Sequence, residues 1–288
     1  MPEGDTIWRT AHRLHQALVG AEIAVSDFRF PDLATLDVCG SVTTEVVSVG
    51  KHLLHRLDSG ITIHSHLKME GQWRIERPGD AAPWMRRGDL RAAVGTEQWV
   101  ALGLRLGALA ALPTSRELEV VGHLGPDVLG PGWDPHVACQ RIASAGTVIG
   151  AALLDQRLLA GVGTIWASES LFIERLGPWS SAQDLGQEEL AALVDRIHHL
   201  MDRARRGGVQ SSTGSRRRGE ELLVHGRSGR PCRRCGTTIR VAPTGPAGRQ
   251  RTLFYCPTCQ GGLAPDDAGE PQRPLGSARG RGSTERRR

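Results

Sequence analysis

From Asp5 to Val19 apolar side chains return every three or four positions, at Ile7, Trp8, Ala11, Leu14 and Leu18. Gly20 follows as a stop, and the spacing predicts one amphipathic helix. The next hundred residues change period. Segments 21–30, 41–49, 52–58 and 61–67 are β-branched or alternating, and turns such as Asp58-Ser59-Gly60 part them, which predicts short strands in a sandwich or barrel. After Gly125-Pro126-Asp127 helical spacing returns over 134–144, 147–160, 164–173 and 187–205, with Gly161 and Gly163 separating the second from the third. Residues 206–220 are Gly/Ser-rich and basic, and predict a mobile loop. Residues 237–255 read as two strands about a Gly/Pro turn, and from 263 on a Pro/Gly/Arg-rich stretch with few apolar side chains predicts disorder. The expected fold class is therefore α+β and multidomain. An N-terminal helix with a β-sandwich spans 1–125, a helical domain 126–221, a four-cysteine ribbon hairpin 222–261 and an Arg-rich tail 262–288.

No apolar run is long enough to span a bilayer, and the first residues carry no basic-then-apolar leader, so the expectation is a cytoplasmic protein. Charge adds a partner class. There are 36 Lys+Arg against 31 Asp+Glu, and between Arg203 and Arg230 eight Arg face two Glu, a modest argument for a polyanion. Only Lys51 and Lys68 are lysines, the pattern of a GC-rich coding sequence that turns Lys into Arg. Where a positive charge alone is needed Arg serves, so a retained Lys is a candidate for a compact, titratable amine.

Cys39 and Cys139 stand alone among apolar neighbours and are expected to be buried structural thiols. The other four form a pattern: Cys232-x2-Cys235, twenty residues, then Cys256-x2-Cys259. Two such knuckles supply four thiolates for one structural Zn²⁺; two disulfides, the alternative, are disfavoured without a secretory signal. Arg230, Arg233, Arg234, Arg240, Arg249 and Arg251 surround these cysteines and lean the ribbon toward nucleic acid.

Six motifs then occur in order: MPEGDT at the start, VGKHLL at 49–54, HLKMEG at 66–71, HLGPDVL at 123–129, LLDQRLLAGVGT at 153–164 and RQRTLFYCPTCQ at 249–260. Together they resemble the formamidopyrimidine-DNA glycosylase/endonuclease VIII family over residues 1 to about 261, and PEGD is closer to the endonuclease VIII side, in particular its actinobacterial branch. The resemblance implies a helix–two-turn–helix in the helical domain. It also implies a bifunctional glycosylase/AP lyase of base excision repair, acting on damaged DNA as a monomer close to the nucleoid, with oxidised pyrimidines favoured. Pro2 is the implied nucleophile once Met1 is removed; an α-amino group of pKa near ~8 is roughly one-tenth neutral at pH 7, and a helix starting behind it raises that fraction. Glu3 is the implied proton carrier. Lys51 is implied to contact phosphate and assist β-elimination, and Arg251 to grip the phosphates flanking the lesion and assist δ-elimination. Lys68 is a DNA contact, Met69 the wedge that fills the stack after base flipping, and His66 reads as structural. Backbone N–H groups of the Gly161-Val162-Gly163 turn and the helix start after it are expected to bind a phosphate.

Each residue has a plainer reading. Pro2 and Glu3 suit any helix start, Met69 any strand end, and Lys51 any exposed strand. The chain also departs from the family pattern. Thr164 stands where the family has a phosphate-binding Asn, His123 where endonuclease VIII has Arg, and Glu70 where a Tyr can follow the wedge; 85–115 lacks an Arg-x-Phe. These departures bear on lesion preference and DNA affinity. They keep a second hypothesis in view, a non-catalytic damaged- or single-stranded-DNA-binding protein of the same fold, against which Pro2, Glu3 and Lys51 argue. The tail beyond Gly261 has no counterpart, and its excess of Arg fits weak electrostatic tethering.

Overall fold

The computed structural model describes residues 2–272. Helix α1 (Gly4–Leu18) buries Ile7, Ala11, Leu14 and Leu18, a stripe at helical spacing. Each Ile or Leu so placed contributes roughly 1.5–3 kcal/mol. The stripe closes the core of a sandwich of two four-stranded antiparallel sheets. One sheet has β2 (Thr43–Val49), β3 (His52–Leu57), β4 (Ile61–His66) and β8 (Ala108–Pro113) in that spatial order. The other has β1 (Val25–Phe28), β6 (Leu90–Gly95), β7 (Val100–Leu104) and β5 (Gln72–Glu76). Val46, Leu53, Leu57 and Ile63 of the first meet Phe28, Ala92, Val94 and Ala101 of the second. A short helix α2 (Pro78–Met85), which periodicity does not reveal, covers the outer face of the second sheet through Ala81. A single turn α3 (Leu118–Val121) leads out of the sandwich.

The second core is helical: α4 (Pro135–Ala143), α5 (Ile149–Leu154), α6 (Thr164–Ile173) and α7 (Gln187–Gly207). Helix α6 is buried on every side from Thr164 to Phe172, as its apolar composition requires. Expected helix 147–160 is shorter than its periodicity. Asp155 is extended, and 155–160 form a turn in which Leu158 and Leu159 N–H both bond to the Asp155 carbonyl. Strands β9 (Arg240–Thr244) and β10 (Arg251–Tyr255) form the ribbon hairpin. Leu253 enters the helical core, and Phe254 N–H donates to Ser168 Oγ on α6 (3.1 Å). The α+β architecture, sandwich then helices then ribbon, is as expected.

Three expectations fail. Cys39 is exposed: its N–H bonds to the Asp37 carboxylate (2.9 Å) in a tight turn that carries the side chain outward, and Cys139 is only half-buried. Of residues 206–220, Arg206 and Gly207 end α7 and the rest hold no regular element, yet Ser211 and Ser212 are buried. The Ser212 hydroxyl donates to Glu169 of α6, and the Ser212 and Thr213 N–H groups donate to the Glu221 carbonyl. Residues 263–272, read as part of a disordered tail, instead pack on the ribbon, with Ala264 buried and Asp267 ion-paired to Arg240. Composition registers apolar burial, whereas here specific polar contacts hold the chain. The rest of that tail, 273–288, lies outside the described residues.

Candidate active site

A cavity of about 210 Å³ opens between the sandwich and the helical core. Its lining comes from five distant parts of the chain: Pro2 before α1, Lys51 in the β2–β3 turn, Lys68 and Met69 after β4, Gly163 and Thr164 at the start of α6, and Arg251 at the start of β10. Glu3 and His123 do not line it. Glu3 lies directly behind, fully buried; His123 is exposed, its ring 6.1 Å from that of His52.

Glu3 does two structural jobs. It is the N-cap residue of α1, and its carboxylate sits at the N-terminus of α6. There it accepts from the N–H groups of Gly163 (2.9 Å), Ile165 (2.8 Å) and Trp166 (3.4 Å). Burial pushes its pKa up to about 7, against the opposing pull of the Lys51 charge and of the Ile165 N–H. Gly161 N–H is also taken, by Gln156 Oε1 (3.1 Å). The expectation that the turn and helix-start N–H groups bind a phosphate is therefore corrected for Gly161, Gly163, Ile165 and Trp166, which Gln156 and Glu3 occupy, and the positive end of the α6 dipole faces a carboxylate of the protein itself.

Gly163 is required by this arrangement. A Cβ there would lie 2.4 Å from Glu3 Cδ and 2.5 Å from Oε1. Its backbone is extended and suits alanine, so the cost of Gly163→Ala is purely steric. Overpacking should remove about 2 kcal/mol, read as a lowered Tm, and base excision should fall with it because Glu3 must vacate its position. Unchanged melting and excision would mean that this close approach is not what fixes Glu3.

Lys51 Nζ donates to the Val162 carbonyl (2.6 Å), which also accepts from Gln156 Nε2 (2.9 Å). Burial lowers the Lys51 pKa; Glu3 raises it and Arg251 lowers it again. The turn that carries Lys51 is fastened by Gly50 N–H to Asp127 Oδ2 (2.8 Å). Lys68 adopts a left-handed backbone (φ 54°), and its N–H donates to His66 Nδ1 (2.9 Å). Burial, with Lys68 and Lys51 nearby, pushes His66 down to about 4, so its ring stays neutral and able to accept that bond. Met69 is 59% exposed, a large apolar side chain pointed into solvent at the cavity mouth. Arg251 opens β10 and is exposed.

Sequence reasoning missed several members. Gln156 lines the cavity and ties both the Val162 carbonyl and Gly161 N–H, a role no spacing reveals. Arg105 (φ 48°) lies beside the Met69 loop, 4.0 Å from the Glu70 carboxylate; the neighbouring Gly107 was its only signal, because a Cβ there would sit 2.0 Å from Lys68 Cγ. His52 pairs with His64 (2.8 Å) beside His66, and burial with the surrounding imidazoles pushes it down to about 3.

In the ribbon the four predicted cysteines converge, their Sγ atoms within 4.8 Å of one another. Cys232 and Cys256 are buried, and Arg234 N–H points at Cys232 Sγ (3.4 Å), as in a metal knuckle. An all-sulfur donor set of this size fits one soft or borderline divalent ion.

Fold and cavity together define a DNA glycosylase/AP lyase of the helix–two-turn–helix type. Residues 1–102 match the formamidopyrimidine-DNA glycosylase N-terminal domain and 124–215 the formamidopyrimidine-DNA glycosylase H2TH domain. The chain is 44% identical to a probable endonuclease 8 2 of Streptomyces coelicolor, over 93% of this chain and 97% of that one. It is 40% identical to the DNA-(apurinic or apyrimidinic site) lyase Nei2 of Mycolicibacterium smegmatis, over 90% of this chain and 99% of that one, which leaves about a tenth of this chain without a counterpart there. Among solved structures, Lactococcus lactis Fpg in complex with oxidised-pyrimidine DNA has the same fold, with a TM-score of 0.76 and 24% identity over 90% of this chain and 100% of that one. The chain belongs to the formamidopyrimidine-DNA glycosylase/endonuclease VIII family, enzymes of base excision repair.

Proposed function

We propose that the protein excises oxidised bases from DNA, pyrimidines in preference, through a Schiff base on Pro2 followed by β- and δ-elimination. The observation that carries this reading is the convergence of Pro2, Lys51 and Arg251 on one cavity with a proton-holding Glu3 behind it. With Met1 removed, the Pro2 nitrogen lone pair attacks C1′ of the flipped nucleotide; the N-glycosidic bond breaks and the base leaves with a proton. Glu3, near half-protonated at neutral pH, supplies a proton to the sugar ring oxygen as the C1′–O4′ bond opens to an iminium. Loss of a C2′ proton then expels the 3′ phosphate, and a second elimination expels the 5′ phosphate. Lys51, its ammonium partly desolvated, suits the proton transfers of these steps. Arg251 offers a guanidinium fork to the flanking phosphates, joined by Lys68 and Thr164 of the cavity lining and by the exposed His123 outside it.

Met69 fits the space vacated by the flipped nucleotide, being long, flexible and solvent-exposed. The pyrimidine preference is supported by the PEGD start and by relatives named endonuclease 8. The four cysteines suit one structural Zn²⁺, which would hold the ribbon that carries Arg251 while the chemistry runs on side chains; the chain acts as a monomer. A panel of duplexes, each with one lesion, tests the reading in the presence of borohydride. Thymine glycol and 5-hydroxyuracil should give adduct faster than 8-oxoguanine, by about tenfold or more. Equal rates would remove the pyrimidine preference, and no adduct on any lesion or on an abasic site would remove the enzyme reading itself.

A further inference from the structure

The ribbon hairpin has two strands, too few to hold an orientation by themselves. Leu253 anchors it to the helical core beside Gly150 of α5, and Phe254 N–H anchors it to Ser168 of α6. Next to these contacts a cavity of about 980 Å³ lies between it and α5, lined by Ala151 and Leu154 of the helix and by Val241 to Gly245 of the hairpin. Residues 263–272 close the far wall of that cavity.

Their contacts concentrate at the base of the hairpin. The Arg240 guanidinium, 8% exposed, is ion-paired with Asp267 and donates to the Glu270 carbonyl (2.8 Å). The Tyr255 hydroxyl donates to Asp267 Oδ2 (2.7 Å) and accepts from Ala264 N–H (3.0 Å). Arg240 and Tyr255 are cross-strand partners, so one carboxylate ties both strands at a single rung. The Gln272 carboxamide then accepts from Val241 N–H (2.8 Å) and donates to the Val241 carbonyl (3.0 Å), taking the place of a third strand on the free edge of β9. Arg251 stands on the same face of β10 as Leu253 and Tyr255, roughly 13 Å up the strand from that rung, so a small tilt at the base becomes a larger displacement of the guanidinium.

We propose that residues 263–272 are a strap that aims the hairpin, with Asp267 a positioning residue for Arg251. The proposal rests on the reading of Arg251 as a phosphate ligand, and it assigns a purpose to chain beyond the last cysteine. Because Asp267 bonds to the base of the hairpin and does not line the active-site cavity, its loss should degrade the grip on phosphate and leave the amine chemistry of Pro2 intact.

The test compares the full chain with Asp267→Ala and Arg251→Ala, and a chain ending at Gln272 with one ending at Gly262. Incision of an abasic-site duplex is followed as kcat and KM, and binding to a tetrahydrofuran-site duplex across a salt series; zinc content is measured for each. Asp267→Ala and the chain ending at Gly262 should keep one zinc, keep kcat within about twofold and raise KM about tenfold; the salt slope should fall by about 0.9, one phosphate contact. The chain ending at Gln272 should match the full chain in KM and kcat. Unchanged KM and slope in Asp267→Ala, with Arg251→Ala showing the loss, would overturn the strap. Joint loss of zinc, kcat and binding would overturn it too, because the segment would then hold the ribbon together rather than aim it. If Arg251→Ala itself leaves the slope unchanged, the reading of Arg251 fails first.

Discussion

A chain that keeps any residue ahead of Pro2 is expected to form no borohydride-trapped adduct with an abasic-site duplex, and to lose at least about three orders of magnitude in strand cleavage, while still binding that duplex. An amide nitrogen shares its lone pair with the carbonyl and cannot attack C1′; only the free secondary amine can. The position of that amine is set by its neighbours. Gly4 N–H bonds to the Gly161 carbonyl (2.9 Å), and α1 begins at that residue, so the chain is pinned one residue after Glu3. The α1 dipole opposes an ammonium at this end, which favours the neutral nucleophile near neutral pH. Pro2→Gly should fall between the two extremes: it keeps an amine but frees the backbone and makes the amine primary. The outcome that would sink the assignment is an adduct of normal yield from the blocked chain. The nucleophile would then have to be Lys51, which lines the same cavity and has its pKa lowered by burial.

The opening residues could be read because they combine periodicity with a short motif. Ile7, Ala11, Leu14 and Leu18 gave the helix, and helix and sandwich share one core through them. The four cysteines were legible because metal-ligand spacing is local in sequence and the ribbon brings its two knuckles together. Pro2 and Arg251 could be named only through motifs, and Lys51 through its motif and the scarcity of lysine, since nothing local says that residues 2, 51 and 251 share a cavity. What remained hidden was long-range and polar. Glu3 capping α6 spans about 160 positions, and no propensity scale registers a carboxylate that caps a helix from another domain. The Glu169 carboxylate, which gathers the N–H groups of Leu223, Val224 and His225 and so fixes where the ribbon leaves the helical core, lies inside an apolar helix whose periodicity gives no sign of it. Residues 263–272 failed for the same reason, being ordered by an ion pair and a carboxamide rather than by apolar area.

Glu3→Gln is expected to lower base excision by about two to three orders of magnitude, yet to spare adduct formation on a duplex that already carries an abasic site. The separation follows from where the proton goes. On an intact nucleotide Glu3 must protonate the ring oxygen as the sugar opens, whereas a pre-formed abasic sugar already samples its open aldehyde. Since the Glu3 pKa is about 7 in the fold, the acid form is abundant below that pH and thins about tenfold per unit above it. Wild-type excision should therefore carry a falling limb near pH 7 that Glu3→Gln lacks. The same shift acts on stability, with a definite sign. Between the ordinary carboxylate value of 4.5 and about 7 the folded protein holds a proton that the unfolded chain has released. This contribution is fully present below 4.5 and is lost as pH rises to about 7, a fall of about 3 kcal/mol. Glutamine cannot ionise, so melting profiles of Glu3→Gln should lack that slope. The variant should also lie below wild type at acid pH, because one carboxamide oxygen replaces the two that accept from Gly163, Ile165 and Trp166. Parallel melting profiles from pH 4 to 8, together with equal losses on damaged and abasic substrates, would show that Glu3 holds α6 in place and carries no proton.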